Sequence, residues 1–315
     1  MTLQLAFELP ALALGLLFGS FLNVCISRLP HHRSIVKPRS NCPQCGTTIR
    51  WYDNIPLLSW LLLRARCRHC KKAIPWRYPL VELATGAWFV TLAGSMFGDI
   101  HLFRLAEHGL PLNAGARDIS MLVMYLGIAI LGFLLIGLMV MDWQTHTLPD
   151  AFTFTGIAIG FLLACVRAML LPLNADQIQL HGPSPLSSPG AVHDQGNVIL
   201  TGPEALIGRW LLATLGAALI LLAVRWLYQA LRHREGLGLG DVKLLAMIAA
   251  FLGFWPAVLA LFSGVLLASL YALTLLARRR ADAATRLPLG SFLAIGGLFS
   301  ALFATSIIEW YKTLL

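Results

Sequence analysis

Residues 119–142 read ISMLVMYLGIAILGFLLIGLMVMD, an apolar run that ends on a single acidic side chain, Asp142. The residues before Asp142 carry no charge. About 20 such residues in a helix are enough to cross a hydrocarbon core of about 30 Å. The stretch therefore predicts a membrane-spanning helix with a carboxylate at its end.

The rest of the chain has a similar composition. Of its 315 residues 57% are hydrophobic and 12% are charged, and its mean hydropathy is +0.73. An average soluble domain is about 45–50% apolar and about 25% charged. The composition predicts an all-α polytopic membrane protein with about eight transmembrane helices, at 8–27, 79–97, 119–141, 150–172, 206–229, 242–254, 256–277 and 287–308. The sixth is short for a span, and Gly253 and Pro256 leave open a bend within a longer segment.

The basic residues predict which connections share one side of the membrane. All but five of the 24 Lys and Arg residues lie in or beside four connections, at 28–78, 142–149, 230–241 and 278–286. By the positive-inside rule these connections are cytoplasmic, and both chain ends face outward. The net charge of +9 suits contact with anionic membrane lipid. No nucleic-acid-binding motif accompanies it, so we expect no nucleic-acid partner.

The polar segment 28–78 divides the chain. We expect a first transmembrane helix at 1–27, a small cytoplasmic domain at 28–78 and a multi-helix membrane domain at 79–315. Within the last of these, residues 173–205 are rich in Pro, Gly and Ser. This composition predicts a flexible periplasmic loop, to which we assign no chemistry.

Two Cys-x2-Cys pairs occupy the small domain, Cys42 with Cys45 and Cys67 with Cys70. Their separation is close to that of zinc ribbons, which present four thiolates in a tetrahedron. Because the protein would supply all four ligands, the zinc would be structural. A segment this short buries too small a hydrophobic core to fold without such a metal or a similar cross-link. Disulfides or unliganded thiols are the alternative, which a reducing cytoplasm disfavours.

Two carboxylates form the candidate catalytic pair. Asp142 ends the third predicted helix, and Asp241 follows a glycine-rich approach, Gly238-Leu239-Gly240, at the start of the sixth. Acidic side chains are costly in a membrane, so they are functional candidates. Two carboxylates that meet can share a proton: one acts as a base toward water while the other polarises a scissile carbonyl. Because sequence does not show proximity, the alternative of two separate, water-exposed acids stays open.

Asp150 is the competing acid on the same side. It follows Pro149 and opens the fourth helix, where a carboxylate stabilises free backbone N–H groups and the positive end of the helix dipole. Asp142 ends a helix, where a negative charge opposes the dipole. A structural role therefore explains the presence of Asp150 but not that of Asp142. This difference favours Asp142 as the catalytic partner of Asp241.

Several separate motifs, spread over nearly the whole chain, carry a family resemblance. They are GSFLNV at 19–24 before RLP at 28–30, PRS at 38–40, WYDNIP at 51–56, RYPLVEL at 77–83, Met141-Asp142 with LPD at 148–150, and Gly-x-Gly-Asp at 238–241. Together they resemble the bacterial type IV prepilin peptidases, of the GxGD group of intramembrane aspartyl proteases. The sequence departs from that pattern in the 173–205 insertion and in Gly290-Ser291, where the family often has Gly-Pro.

The resemblance implies an inner-membrane enzyme that cuts the basic leader from prepilins and pseudopilins at the cytoplasmic face, with Asp142 and Asp241 as catalytic residues. It also implies N-methylation of the new N-terminal residue, commonly phenylalanine, from S-adenosylmethionine, and a role in type IV pili and type II secretion. The cysteine-rich domain indicates the form with both activities. No soluble-methyltransferase fingerprint marks the S-adenosylmethionine site, and Glu82 stays open between a polar site residue and an interfacial carboxylate near Arg77.

Two other functions remain as hypotheses. In a zinc-stapled transporter or assembly scaffold, the membrane acids would carry protons or pair with basic groups. Transporters usually show repeated halves, and none is visible in this sequence. A protease without methyltransferase activity is the nearer alternative, and the mature N-terminus of a processed substrate distinguishes the two.

Overall fold

The computed structural model describes residues 2–106, 114–170, 203–232, 238–278 and 287–314. Within these ranges the helices are α1 (Thr2–Arg28), α2 (Leu58–Leu62), α3 (Arg77–Ala106), α4 (Ala114–Thr145), α5 (Asp150–Leu170), α6 (Pro203–Arg232), α7 (Leu239–Leu252), α8 (Phe254–Ala277) and α9 (Leu289–Thr313). Two short 3-10 helices cover Leu29–His31 and Trp51–Asn54. The expected 173–205 loop and the 278–286 connection lie almost wholly outside the described residues.

Seven of these helices are long and apolar enough to cross a membrane, namely α1, α3, α4, α5, α6, α8 and α9. The remaining segment of the sequence prediction, the sixth, is α7, with 14 residues. At 1.5 Å per residue it is about 21 Å long, shorter than the hydrocarbon core. It ends at Gly253, whose positive φ of 92° separates it from α8. The all-α polytopic fold is confirmed, and its short sixth segment is a separate helix.

Helix α7 lies inside the bundle, in contact with α4, α5, α6, α8 and α9. Its side chains Leu244, Leu245, Met247 and Ile248 are at most 1% exposed. Because protein rather than lipid surrounds it, α7 does not need the length of a lipid-facing span. The acidic residue in its first turn, Asp241, is consequently enclosed by other helices.

Glycines bring the backbones of α1 and α3 into contact. A Cβ on Gly19 would lie 2.7 Å from the Cα of Glu82, and one on Gly15 would lie 2.7 Å from the carbonyl oxygen of Thr85. No larger residue fits at either position without separating the helices. The polar residues of the two helices are therefore held side by side.

Helix ends beside the connections predicted to be cytoplasmic meet at one end of the bundle. Asn23, near the end of α1, donates to the Tyr78 carbonyl at the start of α3, at 2.9 Å. Lys243, at the start of α7, pairs with Asp150 at the start of α5, at 2.7 Å. We call this end, from which residues 28–78 project, the domain face. The grouping agrees with the distribution of Lys and Arg in the sequence.

Candidate active site and metal centre

Asp142 and Asp241 come together at the domain face. Asp142 lies near the end of α4 and is 6% exposed, and Asp241 lies in the first turn of α7 and is 9% exposed. A Cβ on Gly240 would lie 3.0 Å from Leu148, and one on Gly290 would lie 2.9 Å from the same side chain and 3.1 Å from the carboxyl carbon of Asp142. The carboxyl groups are within range of direct charge repulsion. The fold thus pairs the two acids that the sequence singles out.

Ser291, in the first turn of α9, holds one oxygen of Asp142. Its backbone N–H donates to Oδ2 at 2.7 Å, and its hydroxyl lies 3.0 Å from the same oxygen. The hydroxyl also lies 2.9 Å from the carbonyl oxygen of Met139, so its one proton serves two acceptors. Ser291 is fully buried. These contacts fix the orientation of the carboxyl group and leave its other oxygen for a reactant.

The Gly-x-Gly-Asp motif keeps bulky side chains away from Asp241. The backbone of Gly238 hydrogen-bonds to the Asp241 carboxyl group, and a Cβ on Gly238 would lie 3.4 Å from its Oδ2. Gly240 faces Leu148 at a distance that leaves no space for a larger side chain. The space beside Gly238 lets backbone approach Asp241 closely, which suits an extended peptide substrate.

Asp150 has a different environment. Its side chain is 62% exposed and pairs with Lys243. It also occupies the first turn of α5, where its charge favours the helix dipole. The structural explanation inferred for Asp150 from the sequence agrees with these contacts.

Ser291→Ala tests whether the orientation of Asp142 matters. Losing a hydrogen bond to a charged group costs about 1.5–3 kcal/mol. If the pair performs the peptide cleavage that the resemblance implies, kcat for that reaction should fall about 10-fold or more with KM nearly unchanged, and Ser291→Thr should restore part of it. Ser300→Ala is the matched control, because Ser300 is equally buried on α9 but donates to the Pro256 carbonyl. An equal loss in both alanine variants would assign Ser291 to packing alone.

The four cysteines of the small domain also come together. Their sulfur atoms all lie within 4.8 Å of one another, and the sulfurs of Cys42 and Cys70 are 3.9 Å apart. A tetrahedral zinc ion with Zn–S bonds of about 2.3 Å needs sulfur atoms about 3.8 Å apart. The donor set and its dimensions therefore fit a structural zinc ion.

The two cysteine pairs share one backbone pattern. The amide of Cys42 donates to the carbonyl of Thr47, and the amide of Gly46 donates back to Cys42. Cys67 makes the equivalent pair of bonds with Lys72 and Lys71. Gly46 and Lys71 hold the same left-handed position, with φ of 70° and 59°. The repetition indicates two halves built alike around one metal position.

The surroundings of three of the four thiols shift their pKa values in opposite directions. Hydrogen bonds from the backbone lower the pKa of Cys67, whereas, despite a backbone hydrogen bond from Lys72, burial and the neighbouring thiols raise the pKa of Cys70 to about 11. Hydrogen bonding from Thr47 lowers the pKa of Cys45 to about 6, so its thiolate is available near neutral pH. Asp53, within Trp51–Asn54, pairs with Arg68 at 2.6 Å, and this hydrogen-bonded pair lowers the pKa of Asp53. Because Arg68 lies between Cys67 and Cys70, this pair joins the 3-10 helix to the second cysteine pair.

Two family models match the chain. The Bacterial Peptidase A24 N-terminal domain matches residues 13–96, which include all four cysteines, and the Type IV leader peptidase family matches residues 197–273, which include Asp241. A "Prepilin leader peptidase/N-methyltransferase" of Aeromonas salmonicida (strain A449) is 30% identical over 340 residues, covering 98% of this chain and 97% of the relative. The chain belongs to this family.

Other relatives of the same name agree with this assignment. The protein of Myxococcus xanthus (strain DK1622) is 36% identical over 277 residues, covering 86% of this chain and 64% of the relative. That of Klebsiella pneumoniae is 36% identical over 249 residues, covering 77% and 83%. No solved structure gave a significant match.

Proposed function

We propose that this family member removes the leader peptide from prepilins and pseudopilins and N-methylates the residue exposed by the cut, with Asp142 and Asp241 as its catalytic pair. The observation that carries the assignment is the meeting of two buried carboxyl groups at the domain face of a prepilin leader peptidase/N-methyltransferase. No other residue pair in the described part of the chain combines this burial with this chemistry.

The cleavage step follows from a shared proton. One carboxylate takes a proton from water, which attacks the scissile carbonyl, while the protonated partner donates a hydrogen bond to the carbonyl oxygen. The C–N bond then breaks as the leaving amine gains a proton. Gly238 gives the peptide backbone access to Asp241, and Ser291 keeps Asp142 oriented.

Methyl transfer adds a second requirement. S-adenosylmethionine supplies an electrophilic methyl group when it is bound, and the amine released by cleavage must reach that group without its extra proton. A donor site near the aspartates would let one bound substrate undergo both steps. The four-cysteine domain lies at the same face. Cys42, Cys45, Cys67 and Cys70 would hold a structural zinc ion that stabilises this domain.

The chain's surroundings follow from its topology. Seven candidate spans make it a multi-pass membrane protein. We place it in the bacterial inner membrane with the domain face toward the cytoplasm, because Lys and Arg are concentrated there. On that side the basic leader of a prepilin meets the aspartates, and type IV pilus assembly and type II secretion would use the processed subunits.

Purified protein and a prepilin in detergent test the proposed function. Without S-adenosylmethionine, we expect intact-mass spectrometry to show loss of the leader only. With it, the mature chain should gain the mass of one methyl group at its N-terminus. Leader loss without any methyl gain would assign a protease-only enzyme, and an unchanged prepilin, under conditions where a known peptidase cleaves it, would overturn the proposal.

A further inference from the structure

Two buried polar atoms in the described part of the chain lack a hydrogen-bond partner, Asn23 Oδ1 and Arg77 Nε. They belong to neighbouring residues, since Asn23 donates through its other amide atom to the carbonyl of Tyr78, the residue after Arg77. Asn23 is only 3% exposed. Because buried polar groups are nearly always paired, an unpaired acceptor and an unpaired donor on adjoining segments offer complementary contacts to a polar ligand.

A buried acid completes this group. Glu82 lies about one turn after Tyr78 on α3 and is 8% exposed. Its carboxylate accepts from the Leu57 amide at 2.8 Å and from the hydroxyl of Ser20. Ser20 lies three residues before Asn23, on the same side of α1. We call Ser20, Asn23, Arg77 and Glu82 the α1–α3 polar cluster, which contains one cation and one anion.

The cluster lies at the same end of the bundle as the aspartates. Arg77 donates from Nη1 to the side-chain oxygen of Gln144 at 2.6 Å. Gln144 follows Asp142 by two residues, about 3 Å along the axis of α4. The contact between Leu57 and Glu82 also joins the cluster to the cysteine domain. Residues two apart point to opposite sides of a helix, so the contact between Arg77 and Gln144 places the cluster at the same end of α4 as Asp142 but on another side of that helix.

We propose that the α1–α3 polar cluster binds the α-amino-acid end of S-adenosylmethionine. Its carboxylate accepts from Arg77 Nε, and its ammonium group donates to Asn23 Oδ1 and to Glu82. The inference rests on the proposed methyl transfer. It accounts for both unpaired atoms, for their opposite hydrogen-bonding character and for the opposite charges of Arg77 and Glu82, which a zwitterionic ligand complements.

Methyl transfer from the bound donor is a direct displacement at the methyl carbon. The lone pair of the substrate's N-terminal amine forms the new N–C bond, the electrons of the broken C–S bond return to sulfur, and the surplus proton of the amine leaves to water. Arg77 and Gln144 connect the cluster to the end of α4 that carries Asp142.

Binding of two related molecules to the purified full-length chain tests the site without using catalysis. S-adenosylhomocysteine carries the amino-acid end, and 5′-methylthioadenosine lacks it. We expect calorimetry to show that the wild-type protein prefers S-adenosylhomocysteine. Asn23→Leu and Arg77→Met should each reduce that preference about 10-fold or more while leaving the affinity for 5′-methylthioadenosine unchanged.

Thr85→Val is the matched control. Thr85 is fully buried at the same contact between α1 and α3, but its hydroxyl donates to the Val81 carbonyl. It should keep the wild-type preference. If Asn23→Leu and Arg77→Met keep it too, or lose both molecules equally, the cluster is structural and the inference is wrong. A wild-type protein that binds neither molecule would overturn the methyl-transfer function together with this site.

Discussion

Asp142→Asn and Asp241→Asn are each expected to reduce leader cleavage by about 10³-fold or more in folded, membrane-inserted protein. General acid–base groups contribute about 10²–10⁴-fold, and a dyad that shares one proton fails when either member loses its carboxyl group. The asparagine side chain keeps the volume of aspartate in two crowded sites, beside Gly290 and beside Gly238. The loss should therefore appear in the initial rate of leader release at saturating prepilin, without loss of protein from the membrane.

Asp150→Asn is the control for this result. The ion pair between Asp150 and Lys243 is partly exposed, and such pairs are worth about 1 kcal/mol or less. We expect cleavage by this variant to stay within a few-fold of wild type. Full activity in Asp142→Asn with loss in Asp150→Asn would transfer the catalytic role to Asp150.

Loss of the metal is the second large effect. Structural zinc in small domains contributes about 10–16 kcal/mol of binding free energy. The wild-type protein should carry about one zinc ion per chain, and Cys42→Ser or Cys70→Ser should lower that content and make residues 28–78 sensitive to protease. Elemental analysis of the purified protein measures the first result, and limited proteolysis measures the second.

Cys165→Ser provides the comparison, since Cys165 lies on α5 and outside the four-sulfur group. It should keep the metal. In the Cys42 and Cys70 variants we expect methyl transfer to fall more than cleavage, because the contact between Leu57 and Glu82 links the domain to the polar cluster, whereas the aspartates lie on α4 and α7. Equal loss of both activities would contradict that division, and a metal-free but well-folded wild type would contradict the zinc site.

Sequence patterns predicted the features that depend on composition or on local spacing. Apolar runs marked the helices because a hydrocarbon core excludes charge. The two cysteine pairs indicated a metal site because ligand spacing is set locally. Asp142 and Asp150 could be distinguished from each other, since a helix dipole treats an acid differently at its two ends.

Features that depend on packing between distant segments were not predictable. The role of Ser291 becomes visible only when α9 packs against α4, 149 positions away in the sequence. The left-handed conformation of Lys71 carries no glycine signal, unlike that of Gly46. Asn23 and Arg77 stood in recognisable motifs, but their unpaired atoms appear only once α1 and α3 are in contact. For Glu82 the sequence left two interpretations, and its burial beside Ser20 favours the polar site residue.

The most direct test of the central claim is a double variant, Asp142→Asn with Asp241→Asn, assayed for both activities in one preparation. A synthetic peptide with the sequence of the mature pilin N-terminus needs no cleavage, so transfer of a labelled methyl group to it reports a folded enzyme. The account predicts methyl transfer near the wild-type rate and no leader release from full-length prepilin. Leader release by a double variant that still methylates the peptide would show that the aspartates do not perform the cleavage.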